Sequence, residues 1–114
     1  MTAVLSYAIK FVANMEAAID FHVTHLGLKL RFGSPEWSEF DTGATTLALH
    51  RASDEHPDGS CQLGFRVEGV DAFCAEAAAR GVAIIQPPTD LHGQRIAKLR
   101  YPDGSEFSVS GRPG

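Results

Sequence analysis

The second half of this 114-residue chain repeats the pattern of the first. Tyr-Ala-Ile-Lys-Phe-Val at 7–12 lines up with Gln-Leu-Gly-Phe-Arg-Val at 62–67, an offset of 55, and the glycines that close the following helices, Gly27 and Gly81, keep an offset of 54. A fixed period with matched punctuation marks an internal duplication, so the fold has to consist of two like units.

The local signals give each unit the order βαβββ. In the first, residues 5–12 alternate as a strand, and Asn14 caps a helix whose apolar face holds Met15, Ala18, Ile19, His22 and Leu26 before Gly27 stops it. Strands follow at 28–32, 37–40 and 45–50. In the second, 62–67 is a strand, and Asp71 is expected to cap a helix through Phe73, Cys74, Ala77 and Ala78. Strands are predicted at 82–85, 96–101 and 106–110, with Pro87-Pro88 ending the first of these and residues 87–93 forming a loop. The expected organisation is a single α+β domain over residues 1–114. It comprises a first unit at 4–50, a polar, solvated connector at 51–61, and a second unit at 62–110.

A four-stranded sheet with one helix covers only one of its faces, and two such units can wrap their sheets into an open trough with room for a small molecule. Other partners are disfavoured. The formal charge is -4, and no run of Lys or Arg forms a basic patch, which argues against nucleic acid and anionic membrane surfaces. No apolar stretch approaches the roughly 18 residues of a membrane span, and no leader pattern opens the chain, so a cytoplasmic location is expected. Cys61 and Cys74 form no CxxC pair and read as buried, inert thiols.

The helix start Asn14-Met15-Glu16-Ala17-Ala18-Ile19-Asp20-Phe21 running into His25-Leu26-Gly27-Leu28, the segment from Asp71-Ala72 to Arg80-Gly81-Val82, and Tyr101-Pro102-Asp103-Gly104 before the last strand resemble the vicinal oxygen chelate superfamily. This is the group of glyoxalase I, bleomycin-resistance proteins and extradiol dioxygenases. The resemblance covers about residues 4–110. It implies two βαβββ repeats around an open trough, a small-molecule ligand and a homodimer. It also implies four metal-ligand positions, which fall by strand matching on Tyr7, Ala48, Gln62 and Ser108, with His50 two residues beyond Ala48 on the same strand face.

A divalent centre needs His, Asp or Glu lone pairs at most of its protein ligands, and these positions offer none securely. The expectation is therefore a degenerate metal site with no cofactor, in a protein that sequesters or carries an aromatic or polar organic ligand. The alternative is a metal-dependent lyase/isomerase or dioxygenase holding Zn, Ni, Mn or Fe through an atypical set of His50, Gln62 and Glu106. A third reading is an interaction domain whose trough is vestigial.

Strand alternation assigns the lining to Tyr7, Ile9, Phe11, Trp37, Glu39, Ala48, His50, Gln62, Lys98, Arg100 and Ser108. If Pro102-Asp103-Gly104 is a three-residue turn, Arg100 pairs with Glu106 and Lys98 with Ser108, and Lys98, Arg100 and Arg95 become candidates to hold a ligand carboxylate. Trp37, Tyr7 and Phe11 offer flat faces. Among the histidines, His22 and His25 read as packing or surface residues, His56 as solvated, and His92 as a loop residue near the trough mouth. His50 is the functional candidate, combining an inward face with a titratable ring.

Overall fold

The computed structural model describes residues 2–113. Its elements run β1 (Val4–Val12), α1 (Met15–Leu26), β2 (Lys29–Phe32), β3 (Trp37–Asp41), β4 (Thr46–Arg51), β5 (Cys61–Arg66), α2 (Val70–Ala79), β6 (Ile84–Leu91), β7 (Gln94–Arg100) and β8 (Glu106–Gly111). Two compact units result, one spanning Ser6–Gln62 and the other running from Leu63 onward together with the N-terminal residues up to Leu5. Strand order is β2-β3-β4-β1 in the first and β6-β7-β8-β5 in the second. Both units pair their first and last strands in parallel, β1 with β4 and β5 with β8, and join the remaining strands antiparallel. The duplication seen in the sequence is thus a duplication of topology.

In the first unit, the Asn14 side chain accepts from the Ala17 N–H at 3.0 Å to start α1. At the other end Gly27 takes φ +65, and the Leu28 N–H closes onto the His22 carbonyl at 3.2 Å. Beneath α1, Val12, Phe40 and Leu49 form a core with Met15, Ala18, Ile19, Leu28 and Leu47. His22 belongs to this packing. It is buried, its Nδ1 lies 2.7 Å from the Ala18 carbonyl, and its ring stacks on Phe40 at 5.4 Å. In the second unit, Val67, Val70, Cys74, Ala97, Leu99 and Val109 form the equivalent core beneath α2.

Pro87 and Pro88 do not end a strand, because β6 continues through them to Leu91 with irregular register around Gln86. Proline lacks only a donor, which an edge strand can spare, and β6 is the last strand in its unit's order. The expected loop at 87–93 shrinks to a two-residue turn between Leu91 and Gln94, where His92 (φ 52) and Gly93 (φ 77) take the left-handed conformations of a tight hairpin. Asp71 does not cap α2. Gly69 occupies that position, and Asp71 sits in the first turn, bound to Arg95. Of the two cysteines only Cys74 is buried, while Cys61 is exposed.

The segment after β4 is also more than a solvated connector. Phe11 exchanges backbone hydrogen bonds with Ser60 and Gly59 at 2.9 and 2.8 Å, and the Ala13 N–H donates to Asp58 at 2.9 Å. This chain segment gives Phe11's backbone its partners and sets His56 against the Phe11 ring.

Candidate aromatic binding face

The face of the first unit's sheet opposite α1 is built in three rungs by strand register. Trp37, His50 and Phe11 lie side by side across β3, β4 and β1; Glu39, Ala48 and Ile9 form the next rung; Asp41, Thr46 and Tyr7 form the third. Residues directly opposed across neighbouring strands share a face, so the side chains of each rung converge. The floor is sealed. Ala48 is fully buried, and Phe11 is 3% exposed, held between His50 at 5.1 Å and His56 stacked on it at 4.5 Å. His56 is therefore half-buried packing, which corrects the expectation of a solvated residue.

Above that floor the half-buried rings of Tyr7 and Trp37 meet edge to face at 5.9 Å, and Trp37 meets the exposed His50 in the same manner at 5.8 Å. A polar brace fixes the indole. Trp37 Nε1 donates to Glu39 Oε2 at 2.7 Å, and Arg31 Nη2 donates to Glu39 Oε1 at 2.9 Å and to Thr46 Oγ1 at 2.8 Å. Strand alternation does not place Arg31 in the lining. It reaches these partners across the sheet from β2, an arrangement visible only once the order β2-β3-β4 is known. Burial, and secondarily the Glu39 carboxylate, push the Tyr7 phenol above its ordinary pKa, with Arg31 opposing, so Tyr7 stays a neutral hydroxyl.

His50 Nδ1 lies 2.8 Å from the Arg51 carbonyl. A carbonyl can only accept, so Nδ1 carries the hydrogen and Nε2 of the neutral ring keeps its lone pair. Gln62, at the start of β5, is buried.

In the second unit, Lys98 opposes Ser108 and Arg100 opposes Glu106. The turn between them is the three-residue one, with Gly104 at φ +90 and Tyr101 bonded to Ser105 at 2.7 Å. Since Ala97, Leu99 and Val109 pack beneath α2, Lys98, Arg100, Ser108 and Glu106 occupy the other face of that sheet. Arg100 Nη1 donates to the Gly104 carbonyl at 2.6 Å, which ties its guanidinium to the turn. Arg95 lies on the α2 side with Ala97 and Leu99. There it grips Asp71 through Nε and Nη2 at 2.8 and 3.0 Å and Asp90 at 3.1 Å, so it does not join Lys98 and Arg100. Period-two alternation alone separates Arg95 from Ile96, Lys98 and Arg100.

The donor chemistry does not fit a divalent metal. Of the positions suggested by strand matching, Ala48 has no donor atom, Tyr7 is held as a neutral phenol, and Gln62 and Ser108 supply neutral oxygens or nitrogens. Glu39 is spent on Arg31 and Trp37. Among the described residues, no group of three or more His, Cys, Asp or Glu is placed to hold a metal ion.

Residues 4–109 match the family described as the Glyoxalase/Bleomycin resistance protein/Dioxygenase superfamily. An uncharacterized protein of Mycolicibacterium smegmatis is 37% identical over 85 residues, spanning 74% of this chain and 72% of its own length. Among solved structures, a hypothetical protein from Bacillus halodurans superposes with a TM-score of 0.81 at 17% identity, covering 100% of this chain and 97% of that one. Methylmalonyl-CoA epimerase from Mycobacterium tuberculosis superposes with a TM-score of 0.78 at 20% identity, covering 97% and 89%.

Proposed function

The chain belongs to the glyoxalase/bleomycin resistance protein/dioxygenase superfamily, and from that we propose that it is a small-molecule-binding protein that takes up a planar organic ligand without a metal. The observation that carries this reading is the braced aromatic face: Trp37 fixed by Glu39, flanked by Tyr7 and His50, over a floor closed by Phe11 and Ala48. Rigid rings held by hydrogen bonds lose little freedom when a ligand stacks on them, which is where aromatic recognition gains affinity. In the same proposal Gln62 serves as a hydrogen-bonding group, and the working form is a homodimer in the cytoplasm. Light scattering of the purified protein tests the dimer.

The main test is a thermal-shift screen of chelator-treated protein against planar aromatic compounds, run beside metal analysis. A ligand present at about 100 times its dissociation constant stabilises by about 2.7 kcal/mol, a readily measured rise. The reading expects such a rise in the presence of chelator. Stoichiometric Zn, Ni, Mn or Fe that raises the melting temperature, and that is lost in His50→Ala or Gln62→Ala, would instead favour a metal-dependent enzyme of the superfamily.

A further inference from the structure

Resting on the proposed function, we infer a class of ligand: planar aromatics that carry a hydrogen-bond donor, N–H or O–H, on the ring edge. The polar atoms that brace Trp37 are already engaged. Glu39 is engaged through both oxygens, Oε1 by Arg31 and Oε2 by the Trp37 indole. Thr46 Oγ1 accepts from Arg31. Trp37 has a single N–H, and Glu39 takes it.

His50 differs from these. Its Nδ1–H is committed to the Arg51 carbonyl, which fixes both the tautomer and the ring's orientation. The ring is further held by Phe11 at 5.1 Å and Trp37 at 5.8 Å, yet the residue is exposed. Nε2 is left as an oriented acceptor at the edge of the aromatic face, with no hydrogen-bond partner among the described residues. A stacked ligand that brings a donor to Nε2 satisfies it. A ligand with only acceptors there places two lone pairs against each other and gives up a water the imidazole would otherwise hold.

Benzimidazole and 1-methylbenzimidazole separate this inference from the reading beneath it, because they share the ring and its acceptor nitrogen and differ in whether the other nitrogen carries a hydrogen or a methyl group, a difference in bulk that the His50→Phe control cancels. Calorimetric titration is run at about pH 8.5, where free imidazoles are neutral. Benzimidazole is expected to bind roughly 2- to 10-fold more tightly, the range one net hydrogen bond supplies. The preference should vanish in His50→Phe, which keeps the aromatic packing and removes the acceptor. Equal affinities for wild type, or a preference that persists in His50→Phe, overturn the donor rule while leaving aromatic binding in place. Binding of neither compound overturns the donor rule and the binding reading together.

Discussion

Replacing Glu39 by Gln tests whether one carboxylate organises the aromatic face. The carboxylate accepts from Trp37 Nε1 at 2.7 Å and from Arg31 at 2.9 Å, one bond on each oxygen. An amide of the same shape has one accepting oxygen and an NH2 group, so whichever donor meets the NH2 loses its partner. The ion pair contributes little, because Arg31 is 45% exposed and Glu39 20%, and such partly exposed pairs are worth about 0.2–1 kcal/mol. The hydrogen bond from the indole to a charged acceptor is worth about 1.5–3 kcal/mol where it is well shielded, and here it counts at the lower end. An amide that turns its NH2 toward the indole loses that bond and the ion pair together, an expected loss of about 2 kcal/mol in urea unfolding, whereas one that turns it toward Arg31 loses only the smaller contribution.

Two local signals should accompany that loss. Trp37 is the chain's only tryptophan, so its emission reports directly on the indole's partner and should shift. The Tyr7 phenol should titrate at lower pH, because one of the influences raising it is gone, yet stay above an ordinary tyrosine because burial, the larger cause, remains. A variant as stable as wild type, with unchanged emission and an unchanged Tyr7 titration, would refute the brace.

Gly111→Ala should destabilise the second unit by about 1–3 kcal/mol in chemical denaturation, because a Cβ there would sit 2.5 Å from the Val67 carbonyl oxygen and 3.2 Å from a Val70 methyl; an unchanged midpoint would contradict the packing described. Hydrogen bonds from Arg95 hold the Asp71 carboxyl below its ordinary pKa, so its contribution to stability is complete above the unfolded value of about 3.9 and is lost as pH falls through the lowered one. Acid titration of stability should therefore be shallower in Asp71→Asn than in wild type, and identical acid profiles would count against the contact. A thiol reagent should modify one cysteine of the native protein quickly, Cys61, and a second only on unfolding, because Cys74 is buried and its thiol is pushed up in pKa; equal rates for both would contradict the placement.

The repeat carried most of the fold. Alternation plus matched glycines fixed which strand faces belong together, and the pairing of Lys98 with Ser108 and Arg100 with Glu106 followed from one turn. Strand β6 was illegible because whether Pro87 and Pro88 break a strand depends on whether that strand lies at an edge, a property of the sheet and not of the segment. Asp71 is a good capping residue in isolation. Its use by Arg95, 24 residues away, is a tertiary choice that no local signal carries. Arg31 and His56 were missed for related reasons, the first because a long side chain reaches across two strands, the second because residues 53–60 fold back along β1.

In the proposed function, the face formed by Tyr7, Trp37 and His50 binds a planar organic molecule without metal. The most direct test is a titration of Trp37 fluorescence in chelator-treated protein with a neutral planar quencher such as 4-nitrobenzamide. Saturable quenching at one site per chain is expected, weakened in Glu39→Gln and insensitive to added Zn, Ni, Mn or Fe. Quenching that stays linear with quencher concentration, as collision with an unstructured surface would give, or saturation that appears only when metal is restored, would contradict it.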